Sequence, residues 1–146
     1  MVVMIKKITA KNFRPYGRII EYSNKHLKGN KRNLFRIVLA ETNRHGWRIA
    51  YLIVRDKTIK RLESHPYSFE SFEPLTGRSL IYVTKKMDTR SIECFELDRP
   101  IILNKGIWHG VVTLNDESEI KLTENANVKC VYWALGFQLP RDKETI

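Results

Sequence analysis

Four potential metal ligands lie at intervals that constrain how this chain of 146 residues can fold. Glu63 and His65 are two residues apart, so on a strand both side chains project from the same face. Glu70 can return on the next strand after a turn, and His109 arrives from a distant segment that begins at Gly106. Two imidazoles and two carboxylates form a mixed nitrogen and oxygen set suited to Mn, Fe, Ni or Zn. The spacing therefore predicts a divalent metal site in the mouth of a small β-barrel.

Short segments rich in β-branched and aromatic residues recur along the chain and are separated by turn-forming Gly, Asn, Asp and Pro. Regular short strands of this kind indicate an all-β sandwich or barrel. The predicted strands cover residues 6–9, 17–22, 34–40, 47–54, 58–64, 68–74, 79–84, 92–97, 100–103, 110–114 and 128–137.

Helical signals are sparse. A single turn is predicted over residues 9–13, with Thr9 as its N-cap and Pro15 ending it. Residues 88–91 and 119–124 are also predicted to form single helical turns. The chain shows no internal repeat and no linker, and its length suits one packed core, so a single domain over residues 1–146 is expected.

The net charge of +10 raises the question of anionic partners. The basic residues are spread over the chain, and only residues 25–36 approach a cluster. Neither a helix-turn-helix pattern nor an RNA-binding aromatic signature is present, so a small anionic substrate is a better expectation than nucleic acid. No apolar run approaches the roughly 20 residues of a membrane helix, and the first residues do not resemble a signal peptide. A cytoplasmic protein without membrane partners is expected.

The two cysteines, Cys94 and Cys130, lie far apart in apolar, strand-like segments. They form no CxxC pair, which argues against a structural zinc knuckle. In a cytoplasmic protein both are expected to be reduced residues of the core.

The ligand intervals resemble the two motifs of the cupin superfamily. Its first motif usually carries two histidines before the glutamate, and Glu63 stands at the first of these positions. Its second motif is recognisable in Gly106 and His109, with Asn104 where proline is common and Thr113 where asparagine is common. The resemblance implies an all-β cupin fold, a double-stranded β-helix or jelly-roll barrel, with a short N-terminal helical turn.

Three segments resemble one family within that superfamily, the ureidoglycolate lyases, also called ureidoglycolate hydrolases. They are ITAKNFRPYGRIIE at 8–21, LESHPYSFESFEPLTG at 62–77 and IWH at 107–109. Members of the family are generally homodimers and split ureidoglycolate into glyoxylate and urea, so the resemblance implies a carbon–nitrogen lyase. The family usually has glutamine where this chain has Glu70, and it usually continues the late motif with His-Pro where Gly110 and Val111 stand.

The implied reaction needs a base for the substrate hydroxyl, an acid for the leaving nitrogen and stabilisation of the substrate carboxylate. His65 and His109 suit acid–base work near neutral pH, with Glu70 as the third catalytic residue. A divalent cation (Zn, Mn, Ni or Fe) held by these three residues and Glu63 would lower the pKa of the hydroxyl. Such a metal is a possible cofactor of the predicted enzyme.

Three further residues are predicted to contact substrate. Lys105, beside the late histidine, could pair with the substrate carboxylate, whereas a lysine in a turn is more often simply solvated. Trp108 and Tyr82 could line the pocket, or belong to the core.

Two alternatives stay open from the sequence. Glu63 could pair with Arg61 or Arg78 across strands and hold no metal. The barrel could also be a non-catalytic pocket for a sugar or another small ligand.

Overall fold

Strands dominate the chain in this computed structural model, which describes residues 3–21, 35–42 and 44–141. A four-residue helix and a single 3-10 turn accompany them in the described ranges. In chain order the elements are β1 (Ile5–Lys7), α1 (Ala10–Phe13), β2 (Gly17–Ile19), β3 (Trp47–Val54), β4 (Ile59–Ser64), β5 (Glu70–Thr76), β6 (Ser79–Thr84), the 3-10 turn (Thr89–Ser91), β7 (Glu93–Glu96), β8 (Ile101–Leu103), β9 (Trp108–Thr113), β10 (Ser118–Asn125) and β11 (Val131–Leu139).

The strands form two sheets in jelly-roll order. The six-stranded sheet has the order β1-β7-β6-β9-β4-β11, and the five-stranded sheet has the order β2-β8-β5-β10-β3. From β3 to β6 each strand lies in the opposite sheet from the one before it, and every pairing except that of β1 with β7 is antiparallel. Two interleaved Greek keys give this arrangement. The predicted all-β jelly-roll barrel with a short N-terminal helical turn is confirmed.

Alternation along the strands divides the apolar side chains between two clusters. The inner cluster takes residues from both sheets and fills the barrel, as Phe72 of β5 and Ile81 of β6 illustrate. The outer cluster takes its strand residues only from the six-stranded sheet, including Leu62 and Tyr82. Because successive side chains of a strand point to opposite faces, Ile81 and Tyr82 belong to different clusters. This division decides which side chains of β4 and β9 can face the barrel mouth.

The N-terminal helical turn forms as the sequence predicts. Thr9 accepts a hydrogen bond from the backbone nitrogen of Asn12 at 3.1 Å, and the Asn12 side chain accepts one from the backbone nitrogen of Thr9 at 2.8 Å. This reciprocal capping box satisfies two of the backbone donors at the helix start. Phe13, at the other end of the turn, is fully buried in the inner cluster. The 3-10 turn within 88–91 is also confirmed.

The prediction of a helical turn over 119–124 is wrong, because these residues lie in β10. The segment pairs with β3 on one side and with β5 on the other, so it is an interior strand of the five-stranded sheet. Ile120 and Leu122 alternate with polar residues and pack on the inner cluster. Glu and Lys favour helices only weakly, and two rows of cross-strand hydrogen bonds override that preference.

Some expectations fall on residues outside the description. Of the predicted strand over 34–40, residue 34 is not described and residues 35–40 form no strand. Within the basic segment 25–36 only Phe35 and Arg36 are described. Among the residues that are placed, no helix has the length and apolar character that crossing a membrane requires.

Substitution of Gly77 by alanine is expected to destabilise the barrel strongly. Gly77 joins β5 to β6 with a φ of 77°, and a Cβ there would lie 2.6 Å from Ser118 Oγ and 2.8 Å from the Glu117 carbonyl oxygen. Gly136 is a matched control, since its φ is 81° but a Cβ would meet nothing within 4 Å. Urea unfolding should show a loss of ~1–2 kcal/mol for Gly136→Ala from the left-handed conformation alone. Gly77→Ala should lose more, and equal losses would contradict the steric account.

Candidate metal centre and active site

The four predicted ligands meet between the two sheets. Glu63 lies in β4 and is directly opposite His109 of β9 in the six-stranded sheet. Glu70 begins β5 of the facing sheet, and His65 immediately follows β4. The backbone nitrogen of Gly106 donates a hydrogen bond to the carbonyl oxygen of His65 at 2.9 Å, which ties the two motif segments together.

The side-chain atoms of these residues converge closely. His109 Nε2 lies 3.1 Å from Glu70 Oε1 and 3.6 Å from Glu63 Oε1. His65 Nε2 lies 3.5 Å from the same Glu70 oxygen and 4.0 Å from the same Glu63 oxygen. Both imidazoles therefore address one pair of carboxylate oxygens.

Backbone carbonyls orient both imidazole rings. His109 Nδ1 lies 2.9 Å from the carbonyl oxygen of Ile107, and His65 Nδ1 lies 3.3 Å from that of Lys129. A carbonyl oxygen only accepts, so each Nδ1 carries the proton and each Nε2 faces the carboxylates. Outer hydrogen bonds of this kind usually fix the tautomer of a metal-binding histidine.

Two buried atoms at the centre of the cluster support a cation there. Glu70 Oε1 and His109 Nε2 are buried and have no hydrogen-bond partner among the described atoms. Buried polar atoms are normally satisfied, and these two, which lie 3.1 Å apart, are satisfied either by a proton on His109 Nε2 or by a cation that both atoms bind. One ligand atom each from His65, Glu70 and His109 lie within 4.8 Å of one another. Neutral nitrogen and carboxylate oxygen at this spacing fit a divalent cation.

Mutual attraction sets the protonation of the cluster. The neighbouring His109 lowers the pKa of Glu63. Burial alone would raise the pKa of Glu70, but His109 and His65 outweigh it and the pKa is lowered. Burial alone would lower the pKa of His109, but Glu63 and Glu70 raise it to about 10. Without a cation, ionised carboxylates thus face protonated imidazole at neutral pH.

The sequence analysis did not identify two residues beside the cluster, Glu124 and Arg48. Glu124 of β10 lies opposite Glu70 in the five-stranded sheet, and Arg48 of β3 lies opposite Glu124 on its other side. Arg48 Nη2 donates a hydrogen bond to Glu124 Oε1 at 2.7 Å. Burial and the nearby Glu70 carboxylate raise the pKa of Glu124 to about 7, against the opposing effect of Arg48. The alternation of Ile120, Leu122 and Glu124 would have revealed this inward carboxylate, had β10 been recognised as a strand.

A cavity of about 370 Å³ opens beside the cluster. Its wall includes Glu63, Glu70 and His109 together with apolar residues of the inner cluster such as Phe72. Arg61 also lines it, with its guanidinium carbon 4.2 Å from the ring centroid of Tyr132. A mostly apolar wall with a few convergent polar groups is typical of a small-molecule site.

The three residues predicted to bind substrate do not join this cluster. Lys105 pairs with Glu41 and lies over the ring of Phe69, and it does not line the cavity. Trp108 and Tyr82 lie on the other face of their sheet, in the outer cluster, and Tyr82 is fully buried there. The strand period of two explains the placement, because the neighbour of inward His109 must point outward.

The two alternative partners of Glu63 are otherwise engaged. Arg78 Nη2 pairs with Glu96 at 3.2 Å, and Arg61 stacks on Tyr132. Glu63 is left to face the two imidazoles.

The cysteines differ from each other. Neither forms a disulfide, and Cys94 is buried as expected. Cys130 is exposed, so the prediction that it is a core residue is wrong. It immediately precedes β11, an edge strand of the six-stranded sheet, where one face of the chain stays open.

Cation binding is expected to release protons and to strengthen as the pH rises. His109, with its pKa raised to about 10, is protonated at neutral pH in the cation-free protein, whereas an imidazole ligand must be neutral. Calorimetric titration with Zn²⁺ at neutral pH, in two buffers of different ionisation enthalpy, should give different heats. Identical heats would contradict the assignment.

The stability of the cation-free protein is expected to fall as the pH rises. Because the folded-state pKa of His109 is raised, its ion pairs stabilise the fold fully below the unfolded pKa of about 6.5. That contribution is lost as the pH rises towards about 10. In excess chelator the free energy of unfolding of the wild type should therefore fall between about pH 6.5 and about pH 10. The free energy of unfolding of the His109→Ala variant should fall less over the same range.

Comparison with known proteins gives one family match. Residues 1–129 match the model of the ureidoglycolate lyase family. A search of curated proteins finds no match. Similar solved structures include oxalate decarboxylase from Bacillus subtilis at pH 4.6, and the same enzyme in a study of its Mn(II) centres. Each is 16% identical with a TM-score of 0.46, over 62% of this chain and 24% of the other chain. On the family match, the chain belongs to the ureidoglycolate lyase family, a family of lyase enzymes.

Proposed function

We propose that the chain cleaves ureidoglycolate, or a closely related small hydroxy-acid adduct, to glyoxylate and urea. We propose further that Glu63, His65, Glu70 and His109 hold a divalent cation, which is Zn, Mn, Ni or Fe. The observation that carries the metal proposal is the buried pair Glu70 Oε1 and His109 Nε2, which lie 3.1 Å apart in the wall of a cavity and have no other hydrogen-bond partner among the described residues. Membership of the ureidoglycolate lyase family supports the choice of substrate.

The reaction requires one proton acceptor and one proton donor. A base removes the proton of the substrate hydroxyl, the carbon–nitrogen bond breaks, and its electron pair leaves with the nitrogen. That nitrogen takes a proton to give urea, while the former hydroxyl carbon becomes the aldehyde of glyoxylate. A cation, when bound, lowers the pKa of the hydroxyl and offsets the charge of the carboxylate.

Glu63 is the residue best placed to accept the hydroxyl proton. Its side chain is 38% exposed, against 5% for that of Glu70, and it lines the cavity. It is the more accessible of the two carboxylates, and His109, which lowers its pKa, keeps it in the ionised form that a proton acceptor needs.

His65 and His109 serve either form of the reaction. With a cation bound, both act as neutral ligands whose Nδ1 atoms are anchored on backbone carbonyls. Without one, Glu70 and Glu63 keep the imidazoles protonated, since the pKa values of both histidines are raised despite burial. They would then donate the proton that the leaving nitrogen needs. Metal analysis separates the two forms.

Arg61 is better placed than Lys105 to bind the substrate carboxylate. It lies two residues before Glu63 on β4 and lines the same cavity as His109. A guanidinium matches a carboxylate with two parallel hydrogen bonds, and the Tyr132 ring already holds it in place.

Glu70→Gln is expected to separate metal dependence from fold. The untagged wild type should carry a first-row metal and release glyoxylate from ureidoglycolate. The amide should lower both metal content and kcat, the latter by at least ~100-fold, which corresponds to about 2.7 kcal/mol of transition-state stabilisation. Glu73→Gln is the matched control on the same strand, because Glu73 pairs with Lys121 and does not line the cavity.

Each failure has a distinct meaning. Wild type that holds no metal, together with an active Glu70→Gln variant, would overturn the metal-assisted form. Wild type that binds metal but releases no glyoxylate would overturn the substrate.

Arg61→Gln is expected to raise KM for ureidoglycolate roughly 10–100-fold with a smaller change in kcat, because a charge-assisted hydrogen bond to substrate contributes about 1.5–3 kcal/mol. Lys105→Gln removes the same charge from the neighbourhood of Glu41 and should leave KM unchanged. Steady-state kinetics on both variants, with the glyoxylate released as the readout, checks this. A rise in KM for Lys105→Gln but not for Arg61→Gln would instead support the sequence-based prediction that Lys105 binds the substrate carboxylate.

A homodimer, a cytoplasmic location and a single domain over residues 1–146 stay predictions. A small anionic substrate is consistent with the family and with the net charge of +10.

A further inference from the structure

A second group of potential ligands overlaps the first. One ligand atom each from Glu63, His65 and Cys130 lie within 4.8 Å of one another, as do those of His65, Glu70 and His109. The two groups share His65. The first is open to solvent through exposed Cys130, whereas all three members of the second are buried.

The backbone places Cys130 beside the centre. β11 pairs antiparallel with β4, with Val131 opposite Ser64 and Tyr132 opposite Glu63. One step further along this register brings Cys130 level with His65. The preceding carbonyl, that of Lys129, lies 3.3 Å from His65 Nδ1 and anchors that imidazole. The position of the thiol therefore follows from the same pairing that orients a proposed ligand.

Cys130 is more than an isolated surface thiol. Glu70 Oε1 lies 3.5 Å from Nε2 of His65, the residue that the two groups share. Glu70 Oε1 and His109 Nε2 are buried, and apart from their mutual contact at 3.1 Å they have no hydrogen-bond partner among the described residues. The remaining cysteine, Cys94, is fully buried in the outer cluster. Only Cys130 thus brings sulfur to the proposed site.

We propose that Cys130 is a thiolate ligand that completes the cation site from its solvent side, together with Glu63 and His65. This inference rests on the metal site of the proposed function and extends it. The thiol releases its proton to water as the sulfur–metal bond forms, and no electron is transferred. A thiolate favours zinc and cobalt over hard ions such as Mn²⁺ and Mg²⁺, so it narrows the range of suitable metals.

Cobalt(II) reports directly on a sulfur ligand. Metal-stripped, untagged wild type titrated with Co²⁺ should develop visible ligand-field bands together with an intense near-ultraviolet band from thiolate-to-cobalt charge transfer. Cys130→Ser should lose the near-ultraviolet band and keep visible bands, because Glu70, His65 and His109 remain. Val131→Ala, at the exposed position next to Cys130, is the control and should keep both sets of bands.

Thiol chemistry gives an independent readout. Cys94 is buried, so iodoacetamide should modify one thiol per native chain. Since the free thiolate is the reactive species, saturating Zn²⁺ should slow that modification roughly tenfold or more. Mass spectrometry identifies the modified cysteine.

The outcomes distinguish the role of Cys130 from the proposed metal site on which it rests. Visible bands without a charge-transfer band, with alkylation unaffected by Zn²⁺, would overturn the role of Cys130 and leave the four-ligand site standing. Failure of wild type to bind either metal would overturn both. Loss of the near-ultraviolet band in Cys130→Ser, with cobalt still bound, would establish the thiolate ligand.

Discussion

The pairing of buried carboxylates with imidazoles between the sheets is the constraint on which the rest of this structure depends. Glu70 is buried inside a barrel otherwise filled by apolar side chains, and a second carboxylate, Glu124, lies opposite it. Buried charge is costly unless it is paired. His65 and His109 supply the compensation on one side, and Arg48 supplies it through Glu124 on the other.

That electrostatic arrangement explains why the site lies at the barrel mouth. The six-stranded sheet contributes Glu63 and His109, and the five-stranded sheet contributes Glu70, so the ligands come together only when the two sheets pack. Beneath them, Phe72 contacts the His109 ring edge to face, with centroids 5.6 Å apart. The apolar core thereby holds the imidazole on one side while its Nδ1 is anchored on a backbone carbonyl. His65, Glu70 and His109 place one ligand atom each within 4.8 Å of one another, so these three residues would hold a cation in place of the protons of this network.

The family resemblance implies glutamine where Glu70 stands, so position 70 is a point at which the chain is expected to differ from the family. An amide at that point would be neutral and could not hold the pKa of both histidines high. The carboxylate would add an anionic ligand to the proposed site, and together with Glu63 it raises the pKa of both histidines. A thiolate ligand from Cys130 would increase the preference of the same site for zinc over hard cations.

Local sequence patterns were enough to predict most of the fold and the convergence of four side chains at the site. The intervals between Glu63, His65, Glu70 and His109 required only a strand period of two and a turn, and the Thr9 cap required only local hydrogen bonds. The prediction for residues 119–124 failed because the partner strands decide the structure of β10. A shift of one residue along β9 decides the face, so Trp108, next to His109, packs on the outer cluster, one of the two places that the sequence left open.

The sequence by itself therefore determined the barrel and the four convergent side chains, because periodicity and turn chemistry act over a few residues. Only the tertiary structure decided that Glu124, Arg48, Arg61 and Cys130 surround them. Their places depend on strand register and on the packing of the two sheets, which join segments far apart in the chain.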